Sequence, residues 1–171
     1  MKKIYLFLIF LILTGCESKM LNQISVIPTD CPNLLFSKEH KIYMESEQED
    51  VSLDNIAYKA EINNAEFVKG CGIKNNFFSS NLSLLFIITP LNKNQENIIL
   101  PYYIAIIDED NNLQDIQYYS AKGNFKKNIE TGTFLETELK TTITINNNLV
   151  NKQSKLVLGF MLDKKRLILL N

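Results

Sequence analysis

From residue 56 onward, apolar residues come in short runs, many of period two, closed by Asn, Asp, Gly or Pro. Ile56, Tyr58, Ala60 and Ile62 alternate with Ala57, Lys59 and Glu61. Strand side chains alternate between faces, so this pattern predicts a half-buried strand. Asn63-Asn64 reads as a turn, and Phe67 to Ile73 as a second strand carrying Cys71 between Gly70 and Gly72. Those glycines suit a bulge or a close backbone approach. Leu82 to Thr89 is nearly continuous apolar sequence, as a central strand buried on both faces would be.

The alternation of runs and turns continues. Ile98 to Asp108 reads as a strand whose Pro101 belongs at an edge or bulge. Asp108 to Asn112 is a turn, and Ile116 to Ser120 with Lys122 to Asn128 gives two short strands or one bulged strand. Thr133-x-x-Glu136 matches a helix capping box with Leu135 and Leu139 at i and i+4, yet Thr141 to Ile145 is β-branched throughout, which favours a strand over Thr137 to Ile145. Leu156 to Leu162 is the last strand. Asp163 is placed to cap a short helix or turn over Lys164 to Leu170. The expectation is an all-β, antiparallel sandwich of immunoglobulin or fibronectin III type, with seven or eight strands. At 171 residues, 46% apolar and 22% charged, the chain suits one packed domain.

The first residues read as an address. Lys2 and Lys3 precede an apolar run of ten residues, Ile4 to Leu13. A spanning helix needs about 20 such residues, whereas a secretory signal needs about 7–15. Leu13-Thr14-Gly15-Cys16 then resembles the bacterial lipobox, in which small residues admit the peptidase and the Cys thiol becomes the lipid-bearing thioether. The plainer readings are an ordinary signal peptide beside a chance cysteine, or an unprocessed short anchor. The lipobox implies removal of residues 1–15, acylation of Cys16, a tether over 16–30 and a sandwich over 31–171. Several acyl chains then anchor the product to the membrane. Glu17 rather than Asp after the cysteine sets the expectation of an outer membrane location, facing the periplasm.

Cys31 and Cys71 remain once Cys16 is lipidated. Export to an oxidising space and an even remainder suggest one disulfide, with two buried free thiols as the alternative.

Further segments carry a wider resemblance. They are Cys31-Pro32, Gly70-Cys71, the strand Leu100-Pro101-Tyr102-Tyr103-Ile104-Ala105-Ile106-Ile107-Asp108, Phe125, Ile143-Thr144-Ile145 and Gly159-Phe160-Met161-Leu162. Together they resemble an uncharacterised alphaproteobacterial envelope lipoprotein family over residues 31–171. The chain departs from that pattern at Thr144, where proline is usual, and at Leu169-Leu170-Asn171. The resemblance implies a secreted lipoprotein domain and brings no activity with it.

Chemistry is sparse. A net charge of −1 and a single arginine give no basic footprint for nucleic acid. The only histidine, His40, lies between Glu39 and Lys41 and reads as a solvated surface residue rather than a catalytic base. Asp108, Glu109 and Asp110 begin a calcium-loop pattern that fails at Leu113, where glycine is required, and at Tyr119, where glutamate is required. A hairpin turn explains them better, and the expectation is no metal and no cofactor. Tyr102-Tyr103, Tyr118-Tyr119 and Phe77-Phe78 are adjacent aromatic pairs. In a strand one member of each faces the core, and the other is free to bind a partner. The four tyrosines are therefore the candidate partner-binding residues. The expected function is a non-catalytic binding or assembly module with an envelope protein partner. The alternatives are a carrier for an apolar ligand held between the sheets and, behind it, a hydrolase using dispersed carboxylates.

Overall fold

The computed structural model describes residues 26–48, 52–92 and 95–170. The signal segment, Cys16 and the tether up to residue 25 lie outside the described residues. One sheet contains β1 (Ile27–Thr29), β3 (Ile42–Ser46), β4 (Ile56–Lys74), β5 (Phe77–Pro90) and β8 (Thr137–Asn147). The other runs in the order β2 (Asn33–Phe36), β9 (Lys155–Phe160), β6 (Asn97–Ile107) and β7 (Leu113–Asn124). A short helix, α1 (Lys164–Leu170), closes the chain. The expected all-β sandwich thus forms, with nine strands among the described residues instead of seven or eight. Ile27–Thr29, read as tether, pairs with β4 at Cys71 to Ile73. Glu45 and Ser46 end β3, with a register shift between them. β2 lies parallel to β9, the one parallel pair in an otherwise antiparallel arrangement of the described strands.

The long β4 corrects the turn expected at Asn63-Asn64. The register passes from Ile62↔Phe86 to Asn64↔Leu85, so Asn63 is an extra, bulged residue. One extra residue changes the parity of the strand. Inward positions are Tyr58, Ala60 and Ile62 before the bulge, and Ala65 and Phe67 after it. A second bulge holds Lys69 and Gly70, with φ of 70° and 75°. The reversal comes at Asn75-Asn76, with φ of 52° and 64°, the positive pair that a type I′ hairpin requires. Gly72 sits where β1 crosses closest, and a Cβ there would lie 2.3 Å from Val26 Cγ1.

β5 is central, between β4 and β8, and its fully buried apolar side chains lie on one face only. Leu82, Leu84, Phe86 and Ile88 are in the core, whereas Leu85 and Ile87 are half-buried on the outer face. The run looked continuous because both faces carry aliphatic residues. Pro101 sits in the interior strand β6, one residue before the β9 ladder begins at Tyr102↔Phe160. Its carbonyl accepts the Met161 N–H at 3.0 Å, so its missing N–H falls where β9 has ended. The region from Leu113 to Asn124 is a single strand, and Thr137 to Asn147 is a strand rather than a capped helix.

The interior is filled by rings from both sheets. Phe86 lies 5.4 Å from Tyr102 and 5.8 Å from Phe160, centre to centre. Tyr58 reaches across from β4, donating to Ile99 O at 2.9 Å and accepting the Ile99 N–H at 3.1 Å. Burial pushes its pKa up to about 12. Tyr58→Phe should therefore cost about 1–3 kcal/mol, because it strands two backbone groups of β6. Urea denaturation checks this, and a change within about 0.5 kcal/mol would mean that water replaces the hydroxyl. At one side of the sandwich Asn147 donates to Asp115 at 2.9 Å, linking β8 to β7. At the other, Ser37 N–H donates to Leu158 O and Phe160 N–H to His40 O, at 2.8 and 2.7 Å. Arg166 fastens α1 to β3 through Met44 O (2.8 Å) and Glu45 (3.2 Å). Asp163 caps the helix as expected, accepting the Arg166 N–H at 2.7 Å, which holds its pKa below the usual carboxylate range.

Candidate functional site

β6 and β7 pair Tyr102 with Tyr119 and Tyr103 with Tyr118. Adjacent pairs therefore split between the faces of the sheet. Tyr102 is buried and stacks on Tyr119 with centroids 5.5 Å apart. Burial pushes the Tyr102 pKa up to about 12. These two tyrosines belong to the core side, which removes them from the candidate partner-binding set. Tyr103 and Tyr118 stand on the outer face, and Tyr118 is 63% exposed. Phe77 and Phe78 split in the same way, the first exposed and the second buried.

The outer face of this sheet carries a groove of about 490 Å³. Ala105 and Val157 make its floor, with Tyr103, Ile107, Ile116 and Tyr118 around them. The side chains follow from strand alternation. β6 turns Leu100, Tyr102, Ile104 and Ile106 inward, so Tyr103, Ala105 and Ile107 must point out. The floor is low because Ala105 is small. At one end Gly159 has no side chain, and a Cβ there would lie 2.7 Å from the Tyr103 hydroxyl and 2.8 Å from His40 Cβ. That space lets the Tyr103 ring cross β9.

His40 is where the sequence reading needs correction. It is half-buried, not solvated, and its Nδ1 lies 3.1 Å from the Tyr103 hydroxyl. The two rings meet edge to face at 5.6 Å. Nothing in the local sequence pairs residues this far apart; the contact depends on the 37–41 loop crossing between sheets beside β9. The glycine within Leu158-Gly159-Phe160 was the one visible clue to a close approach there.

The far end of the groove is bounded by Ile107 and Leu113, which flank the turn at 108–112. Asp108 accepts from the Asn112 N–H at 2.8 Å and from the Gln114 amide at 2.7 Å. The Asn112 N–H foremost holds its carboxyl below the usual range. The turn is the hairpin reversal expected, with Glu109 and Asp110 exposed at its tip. Among the described residues no group of three or more His, Cys, Asp or Glu is arranged to hold a metal ion. No family model matches this chain, and neither a curated protein nor a solved structure matches it.

Cys31 and Cys71 are bonded, with Cα atoms 5.2 Å apart. Cys31 lies between β1 and β2, so the bond joins the entry of the chain to the second bulge of β4. The space between the sheets is filled by Tyr58, Phe86, Tyr102, Phe125 and Phe160.

Proposed function

We propose that this chain is a lipid-anchored module of a bacterial cell envelope that binds a protein partner, without catalysis, through the outer face of the β2–β9–β6–β7 sheet. The observation that carries the reading is the contrast between its two outer faces. One surrounds Leu85 and Ile87 with the charged Lys59, Glu61, Glu138 and Lys140. The other presents an apolar groove flanked by an exposed tyrosine, the residue type enriched at interfaces. The lipobox resemblance at Leu13-Thr14-Gly15-Cys16 supports the anchor, and the disulfide fits an exported chain. Glu17 supports the outer membrane, facing the periplasm, and the family-like segments support a lipoprotein domain.

The decisive experiment places a photo-crosslinking residue at position 118 of the full chain in its own envelope. One reproducible protein adduct is expected, absent when the probe sits at Glu138 on the opposite face. Equal labelling at both positions, or labelling of lipid alone, would count against a protein partner. The anchor has its own test. Cys16→Ser should leave the precursor unprocessed or the product unanchored, read by membrane fractionation and acyl labelling. Unchanged anchoring of the variant would refute lipidation at Cys16.

A further inference from the structure

At the tip of the β4–β5 hairpin, apolar side chains are exposed on both faces of the sheet. Ile73 pairs with Phe78 of β5 and with Ile27 of β1, so these three share the inward face. Lys74 pairs with Phe77, which puts both on the outer face. Val26 is on that face too, because its Cγ1 occupies the outward side of Gly72. Phe78 is buried, but Val26, Ile27, Ile73 and Phe77 are 52%, 62%, 37% and 43% exposed. Farther from the turn the outer face becomes polar, with Ser79 opposite Asn146 and Asn81 opposite Thr144. A single exposed apolar side chain is ordinary, whereas four on one corner mark a contact surface.

The position of that corner in the chain points to its occupant. Val26 is where the described residues begin, and ten residue steps separate it from Cys16, about 33 Å at full extension. Acylated at Cys16, the chain holds this corner within that distance of the bilayer. The 19 residues of β4 carry the opposite end of the sandwich away from it. Charge at the near end is mixed: Asp30, Lys74, Lys152, Lys155 and the acidic turn at 108–110 all lie there. Attraction to a bilayer would therefore be apolar rather than ionic. The acidic turn joins β6 to β7 on the flank where β7 meets β8 through Asp115 and Asn147, whereas β1 borders the other flank. Contact at the β1 corner thus leaves the outer groove clear.

We propose that the corner formed by Val26, Ile27, Ile73 and Phe77 seats against the bilayer that holds the lipid anchor, a contact that rests on the lipidation proposed above. The seat is shallow, because Lys74, Asn75 and Asn76 are polar and stay among headgroups and water. The lipid and the corner then hold the domain at two points, which fixes its orientation and turns the groove toward the aqueous side.

The chain has no tryptophan, so a single one reports its own surroundings. Phe77→Trp places it in the corner, and Leu91→Trp places it on an exposed site at the far end of β5. Each full chain, expressed with its signal segment and purified, is reconstituted into vesicles of phosphatidylethanolamine and phosphatidylglycerol whose acyl chains carry bromine, a contact quencher. The tryptophan at 77 should lose about half its emission or more and shift to the blue, while that at 91 changes by less than about a tenth. Adding Ile27→Asp and Ile73→Asp to Phe77→Trp should remove most of the quenching, and adding Ile27→Asp alone about half of it. Far-UV circular dichroism on each variant separates lost contact from lost folding. Quenching that the aspartates leave unchanged would show that the anchor alone brings the corner near lipid, and would overturn the inference. So would equal quenching at 77 and 91, or a blue shift without quenching, which would mean that residues 16–25 or another protein cover the corner. Acyl labelling of the same samples keeps the two readings apart. An acylated chain without quenching overturns this inference and leaves the lipid anchor standing. An unacylated chain that is still quenched overturns the anchor and leaves the corner's contact with lipid, and an unacylated chain without quenching overturns both.

Discussion

Replacing Cys31 and Cys71 together by alanine should lower the stability of the domain by about 2–5 kcal/mol. The two residues are 40 apart in sequence, and closing a loop of that length removes about 4 kcal/mol of entropy from the unfolded chain in the chain-entropy picture. The folded side of the balance points the same way. β1 is three residues long, mostly exposed, and held by three register pairs to β4. Without the bond to Cys71 little else keeps the entry segment on the sheet. Total stability of such domains is about 5–15 kcal/mol, so the loss is a large fraction of it. For a domain of this size the melting temperature should fall by roughly 4–20 °C. Urea unfolding of the lipid-free domain, with and without reductant, gives the same comparison without mutation. Identical midpoints for the oxidised and reduced protein would show that the bond constrains nothing that folding needs.

The strand content was legible because alternation is a local property. The β6, β8 and α1 segments, the cap at Asp163 and the splitting of the aromatic pairs all follow from period two or from helix-end chemistry. What was not legible depends on partners. Asn63-Asn64 and Asn75-Asn76 offer the same turn residues, yet the first bulges and the second reverses the chain. The difference lies in register. β5 carries Leu82, Leu84 and Phe86 opposite Phe67, Ala65 and Ile62, and only a continuous β4 with one extra residue brings that whole set inward. Short edge pieces such as Ile27–Thr29 carry too few residues to show a period. The groove was half visible. Tyr103 and Tyr118 were candidates from composition, but choosing them over Tyr102 and Tyr119 required knowing which parity of β6 faces the other sheet. His40 and Gly159 joined the site only through a crossing loop.

That parity can be tested on two neighbouring residues of one strand. Phe86 is fully buried on β5 and meets Tyr102 and Phe160, both from the opposite sheet. Removing its ring leaves a cavity between sheets whose backbones are fixed by their own ladders and cannot close on it. Phe86→Ala should therefore cost about 3–5 kcal/mol. Leu85, one residue earlier, is half-buried on the outer face, where water and mobile side chains can fill the gap. Leu85→Ala should cost no more than about 1 kcal/mol. The pair is informative because a slip of one residue in register would exchange the two side chains. Chemical denaturation of both variants, with far-UV circular dichroism to confirm a folded baseline, measures the difference directly. Because Tyr102 precedes Tyr103 in the chain, Phe86 also supports the backbone from which the groove is built. If Leu85→Ala proved as damaging as Phe86→Ala, the inward face of β5 would be wrong, and the outward placement of Tyr103 and Tyr118, which depends on how the two sheets face each other, would fall with it.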